Sequence, residues 1–572
     1  MKKAIPVLIA IVLIIIIGAA AFGAKIIEKY SYSHEKADLY EYFHIVKEDE
    51  ASIVLQDEMV EEKAFVKDGI CYFDLATVHR YFNDRFYVDS VEQLLLYTTP
   101  TDIIRTPIGS NSFQINGAPQ DAGYLLSFSR TRGGVTTYYI AADFVKQYTN
   151  FSYQLYENPN RLQVYTEWGQ RQVADISRGT AVRFLGGVKS PILRDLSASE
   201  TVVILEKMET WCKIKTDDAI IGYVENKFLE NEREETLEPV TDVAPPVYTS
   251  LTRDNKICIG WHAIASSAGN DTLNTVTANA GALTVIAPTW FSLKDNEGNL
   301  QSFASASYVE KAHNKGLEVW GVVDDFNYSA NTGEEVDAYA ILSATTSRTY
   351  LIDRIMEAAA ACGMDGVNID FENINADSAE HFIQFLRELS IRCRAAGLVL
   401  SVDNYVPYNY NSFYDFEEQG VVADYVIVMG YDEHWAGSQE AGSVASIGYV
   451  RGGIERTVAN VPAEKVINAL PFYTRLWKTE GTTVTSEAYP MANVDSVLNT
   501  YNMEPEWDEE TGQNYAEVTI DGTSYQIWVE DVQSISVKLN VMQNYNLGGV
   551  AAWRLGYEPA AVWDVIATYL AQ

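Results

Sequence analysis

The carboxyl-terminal half of this chain predicts an α/β fold, eight strands alternating with helices and closing into a parallel barrel. Three observations predict it. Eight short apolar runs begin at Ile257, Leu283, Leu317, Asp365, Leu398, Asp424, Val466 and Gly548. Stretches with apolar residues at helical spacing separate them, as Phe382, Phe385, Leu386 and Leu389 do after the fourth run. In that fourth run, MDGVNIDFEN from Met364 to Asn373, the polar Asn368, Asp370 and Glu372 alternate with Val367, Ile369 and Phe371. Period two marks a strand whose apolar set faces covering helices and whose polar set faces the other way together. Two carboxylates and an amide on one narrow face are costly to bury without a task. At the carboxyl-terminal end of a barrel strand they face the active-site mouth.

The 572 residues are enough for three or four domains, and 47% hydrophobic with 12% aromatic content supplies packed cores. A net charge of -36 argues against nucleic acid and anionic lipid as partners. Cys71, Cys212, Cys258, Cys362 and Cys393 are scattered without a CxxC pair, so neither a zinc site nor a disulfide framework is expected.

The chain divides in order. Met1-Lys2-Lys3 precedes Ala4 to Ala24, twenty-one residues without a charge. That run can cross a bilayer as a helix, with Lys2 and Lys3 on the cytoplasmic side. A cleaved signal peptide, cut after the small residues Ala19 to Ala21, is the competing reading. Both readings export the rest, and residues 1–29 are assigned here as a signal anchor.

Residues 30–168 are rich in Tyr and Phe and internally duplicated. Tyr72, Val78, Tyr81, Leu94, Tyr97 and Thr98 match Tyr139, Val145, Tyr148, Leu162, Tyr165 and Thr166. Each copy reads as a short helix followed by strands. The duplication resembles the small α+β stalk domain at the amino terminus of copper amine oxidases. No copper site is expected, because His79 has no partner at ligand spacing. Residues 170–230 contain the short strands VRFLG, TVVILEK, WCKIKT and IIGYVEN, which predict a small β-barrel. WCKIKTDDAIIGYV resembles bacterial SH3-like domains, with Trp211, Gly222 and Tyr223 packing the barrel. The acidic, Pro-containing stretch 231–250 is the linker into the barrel domain, residues 251–572.

DGVNIDFE resembles the DxxDxDxE signature of family 18 glycoside hydrolases, the chitinase-like enzymes. Its style is that of the bacterial spore-cortex and cell-wall N-acetylglucosaminidases. Asn368 stands where chitinases usually carry Asp. MGYD (Met429 to Asp432) resembles the family's MxYD, PFYTRLW its YxR element, and AAWRLG the tryptophan under the sugar. The family's SxGG on the third strand is replaced by GVVDDF. These departures point to the wall-lytic branch. The resemblance implies a (β/α)8 TIM barrel with a small α+β insertion between strands seven and eight, from Lys478 to Glu530. It implies Glu372, Asp370 and Tyr431 as catalytic residues, and Asn368, Asp432, Tyr473, Arg475 and Trp553 as substrate-binding ones. Trp261 is a weaker candidate for the same groove.

Chemically, Glu372 is suited to general-acid work, which needs a proton held near neutral pH. No carboxylate stands obviously across the groove as a nucleophile. Retaining hydrolysis then needs the substrate's own 2-acetamido group. The expected protein is a single-pass membrane enzyme, acting outside the cell without a cofactor. Its expected substrate is the β-1,4-linked, N-acetylglucosamine-containing polymer of peptidoglycan or spore cortex. Chitin or chitooligosaccharide hydrolysis and non-catalytic wall binding are the alternatives.

Overall fold

The computed structural model describes residues 5–572, so Lys2 and Lys3 lie outside the described residues. Its first helix, Ile5–Tyr30, is long and apolar enough to cross a membrane from Val7 to Tyr30, with a mean hydropathy of 3.0. The chain forms two compact units.

The first unit comprises 1–88 and 105–245. One seven-stranded sheet runs in the order 152–156, 161–165, 50–55, 58–67, 70–74, 135–141 and 127–132. The short helices Leu75–Tyr81 and Ala142–Lys146 each follow a strand of it. A second seven-stranded sheet, from Gly169 to Leu237, encloses Val182, Leu193, Val202, Cys212, Ile214 and Val224. Gly222 is required there, since a Cβ would lie 2.5 Å from Val182 and 2.6 Å from the Arg183 carbonyl.

The second unit comprises 89–104 and 246–572. The stretch 89–104, expected within the stalk, belongs here for a local reason. Helix Thr345–Cys362 begins at Ala344, which has no capping side chain. Asp89 Oδ2 instead accepts from the Thr345 amide and hydroxyl at 2.6 Å, and Glu92 accepts from the Thr346 amide at 2.8 Å. Borrowed carboxylates thus satisfy the exposed donors of the helix and complement its dipole.

The barrel strands are β1 (Ile257–His262), β2 (Val285–Pro288), β3 (Glu318–Asp324) and β4 (Gly366–Asp370). They continue with β5 (Val399–Tyr405), β6 (Tyr425–Met429), β7 (Val466–Pro471) and β8 (Gly549–Trp553). Each pairs in parallel with its sequence neighbours, and β8 pairs with β1. The eight strands therefore close into a barrel, with the hairpin 291–293 and 300–302 added beside β3. All eight runs read from the sequence supply one strand each.

The alternation in β4 separates two cores. Val367, Ile369 and Phe371 face outward, and Phe371 stacks on Phe385 of helix Ala379–Ala396 at 5.7 Å. Trp261, Trp320, Val322, Tyr425 and Ile427 fill the barrel interior. Gly366 makes room for that filling, because a Cβ would lie 2.7 Å from the Trp320 ring.

Between β7 and β8 lies the insertion. Its five antiparallel strands run in the order 483–490, 473–480, 523–529, 513–520 and 506–508, with helix Val494–Tyr501. The insertion starts at Tyr473, earlier than the expected Lys478. β7 ends at Pro471, which cannot donate to a ladder, and Phe472 links it to the next sheet.

Candidate active site

The mouth of the barrel is a cleft of about 200 Å³ at the carboxyl-terminal ends of its strands. Asp370, Glu372, Asp403, Tyr431, Asp432 and Trp553 line it, together with Trp261, Tyr405 and Met429. The period-two geometry of β4 sends Asp370 inward, and Glu372 follows two residues later on the same side.

Glu372 is held at both ends. Its backbone amide donates to Asp325 Oδ1 at 2.9 Å, and its Oε2 accepts a very short hydrogen bond from the Tyr405 hydroxyl. Burial pushes its carboxyl above the usual carboxylate range. The Tyr405 donor opposes that shift, and the charges of Asp432 and Asp324 add to it. Asp370 is raised well above its ordinary value by burial first, then by Asp403, Glu372, Asp324 and Asp325. Among the described residues its Oδ1, sealed from solvent, has no hydrogen-bond partner. Asp325 is raised to about 7 by burial, against the amides of Glu372 and Asn373 that donate to it. A site this acidic stays folded by keeping protons on its carboxyls.

Asn368, expected to bind substrate, lies below the floor of the cleft. Its Oδ1 accepts from Trp261 Nε1 at 3.1 Å, and its Nδ2 donates to Ser401 Oγ at 2.9 Å and Asp403 Oδ1 at 2.8 Å. An amide with its bonds spent on neighbours positions them instead. Trp261 is buried, yet it reaches the cleft and meets Trp553 edge to face at 6.1 Å. Asp432 has φ 58°, a left-handed conformation that Asp tolerates. Its Oδ1 accepts from the Tyr473 hydroxyl at 2.5 Å. Tyr473 and Arg475, also expected to touch substrate, do not line the cleft. They sit on the first insertion strand behind Asp432, where Arg475 donates to Ser486 Oγ at 3.2 Å.

Sequence reasoning missed Asp403 and Tyr405 on β5 and Asp324 and Asp325 at the end of β3. The signal was present. Ser401, Asp403 and Tyr405 recur with period two along β5, a weaker form of the β4 pattern because the intervening Asn404 is itself polar. In GVVDDF the acidic pair occupies the mouth end of its strand.

A closed parallel barrel whose mouth gathers proton-holding carboxyls over a tryptophan floor defines a glycoside hydrolase. The chain belongs to glycosyl hydrolases family 18, which matches residues 259–558; a bacterial SH3 domain matches residues 175–230. YdhD of Bacillus subtilis strain 168, described as a sporulation-specific glycosylase, is 33% identical over 233 residues, 39% of this chain and 54% of that protein. The cortical fragment-lytic enzyme of Bacillus anthracis is 25% identical over 256 residues, 43% of this chain and 57% of that one. The chain thus spans about half the length of these two curated relatives. The crystal structure of the Bacillus cereus spore cortex-lytic enzyme SleL shares the fold, with a TM-score of 0.50 and 22% identity. That likeness covers 59% of this chain and 78% of that one.

Proposed function

We propose that this chain is a membrane-anchored enzyme acting outside the cell. It cleaves β-1,4 bonds beside N-acetylglucosamine in peptidoglycan or spore cortex, by retaining, substrate-assisted catalysis. The observation that carries the reading is Glu372, a buried carboxyl raised above its ordinary range and aimed into the cleft beside Asp370. Such a group gives its proton to the glycosidic oxygen. The acetamido carbonyl oxygen of the sugar on Trp553 attacks C1, closing an oxazolinium ring. Asp370 faces the acetamido N–H, where positive charge develops, and Tyr431 holds the acetamido oxygen. Glu372, now a carboxylate, takes a proton from the water that reopens the ring. Asp432 orients a substrate hydroxyl, while Tyr473 and Arg475 steady Asp432 from behind.

The names of YdhD and the cortical fragment-lytic enzyme favour a wall polymer over chitin, and helix Ile5–Tyr30 supports an anchor. The test is Glu372→Gln in the full chain, assayed on muropeptides and chitooligosaccharides with products read by mass spectrometry. Turnover on the wall substrate falls at least about 10²-fold with folding unchanged. Near-normal turnover, or a wild type that cuts only chitooligosaccharides, overturns the reading.

A further inference from the structure

Asp370 has two carboxylate neighbours in register. Asp324 pairs with it directly across β3–β4. On the other side Asn368 pairs with Ser401 and Ile369 with Val402, so Asp403 follows beside Asp370. Asp403 lines the cleft with Asp370, whereas Asp324 is buried behind it.

Their open oxygens differ. Asp324 Oδ1 accepts from the amides of Phe326 and Asn327, and its Oδ2 accepts from Ser292 Oγ and Asn327 Nδ2. Both oxygens of Asp325 are likewise taken, by the amides of Glu372 and Asn373. Asp403 accepts from Asn368 Nδ2 on Oδ1, and the Trp261 indole N–H is also turned toward its carboxyl; among the described residues its Oδ2 is sealed from solvent with no hydrogen-bond partner. Asp370 Oδ1 is in the same condition. Asp370 and Asp403 thus stand in register on neighbouring strands, each with one buried oxygen that lacks a hydrogen bond among the described residues; two such carboxyls repel when both are ionised and satisfy each other when one proton joins them.

We infer that Asp403 is the proton partner of Asp370: one proton is shared between Asp370 Oδ1 and Asp403 Oδ2, and Asp403 keeps it during catalysis. The inference rests on the substrate-assisted reading. As the acetamido oxygen closes on C1, the Asp370 Oδ1–H bond breaks and an Asp403 Oδ2–H bond forms. Asp370 becomes the carboxylate that faces the N–H, and Asp403 becomes a neutral acid. No proton enters or leaves, and the transfer reverses when water opens the ring. Burial, then mutual charge, raises Asp370, and burial raises Asp403 against the Asn368 donor. The other ionisable groups facing the pair among the described residues are Glu372, Asp324, Asp325, Tyr405, Tyr414, Tyr431 and Asp432, all acids, so no cation competes for the proton's role. Asn368, unlike an acid, cannot take the proton; its Nδ2 donates to Asp403 Oδ1 and so fixes that carboxyl. Asp403 is thus a positioning residue that acts through Asp370.

The test is the pH profile of kcat and KM for Asp403→Asn, which keeps the Asn368 hydrogen bond but cannot accept a proton. A shared proton splits the pair into two macroscopic ionisations, and the lower sets the wild-type acid limb. A lone Asp370 titrates between them, and its proton must leave to solvent. The acid limb of kcat therefore moves to higher pH by at least about one unit, with KM little changed. A uniform fall in kcat at all pH values, or an unmoved limb, overturns the inference. Should the Asn variant not fold, Asp403→Glu and Asp403→Gln differ only in the acceptor; the limb lies higher in the Gln variant, and equal limbs overturn the inference. Asp370→Asn separates this from the parent reading. If it retains turnover, the substrate-assisted reading falls; if it is dead while Asp403→Asn keeps the wild-type limb, only the proton partner falls.

Discussion

The Tyr405 hydroxyl at the end of β5 donates to Glu372 Oε2, across the two strands that carry the acidic network. The bond stabilises the ionised acid, while burial stabilises the protonated one and prevails. Tyr405 therefore limits how far the acid's proton affinity is raised.

Tyr405→Phe removes that donor, so the Glu372 carboxyl rises further. The acid must be protonated to work, and the basic limb of kcat/KM follows its loss of a proton. The limb moves to higher pH, by about one unit for a hydrogen bond to a charged group at a half-exposed position. A pH–rate profile of the variant checks this; a limb displaced to lower pH would contradict the assignment of Glu372 as the acid.

A second pair holds the base of the insertion. Lys538 Nζ donates to Glu530 Oε1 and Oε2 at 2.9 and 3.0 Å, and both side chains are fully buried. Gln513 and Ser534 complete the carboxylate's hydrogen bonds at 2.7 and 2.8 Å. Lys538→Met leaves a buried charge uncompensated and destabilises by about 3–5 kcal/mol. Thermal unfolding followed by tryptophan fluorescence shows the lowered transition. Replacing both partners with apolar residues recovers much of the loss, since the pair's own desolvation cost is then removed as well.

The sequence made the barrel legible because each strand is short, apolar and punctuated, and because β4 alternates so strictly. Glu372, Asp370 and Trp553 were legible for the same reason, since strand period fixes which side chains reach the mouth. Asn368, Tyr473 and Arg475, expected at the groove, do not line the cleft. Strand period gives the inward direction but not the depth, and Asn368 lies one layer below the cleft. Pro471 and Phe472 turn the chain out of β7 before Tyr473, a change of sheet that a continuous apolar run conceals. Asp403 was missed because the polar Asn404 on the opposite face blurs the alternation that made β4 readable, and its placement beside Asp370 is set by strand pairing.

Topology gives a further expectation. Helix Ile5–Tyr30 exposes its apolar side chains all round, as a helix meeting lipid does. In intact cells the full-length protein fractionates with membranes and is released by detergent but not by salt. External protease frees a fragment beginning after Lys25. A protein found in the medium with a new amino terminus near Phe22 would instead mark a cleaved signal.

The last prediction concerns the nucleophile. Asp370, Tyr431 and Trp553 line one cleft, and an indole face is a surface on which a sugar ring can stack. With the acetamido oxygen attacking C1, a substrate carrying N-acetyl on the sugar at the non-reducing side of the scissile bond is cut. Its glucosamine counterpart can still stack on Trp553, yet it has no carbonyl oxygen to attack with and is not cut. A cyclic thiazoline inhibits, because it resembles the charged ring that the site stabilises. Two inversions at C1 give net retention, so the first product is the β-anomer, read by NMR before mutarotation. Efficient cleavage of the glucosamine substrate, or initial release of the α-anomer, would exclude the acetamido nucleophile even if Glu372 proves essential.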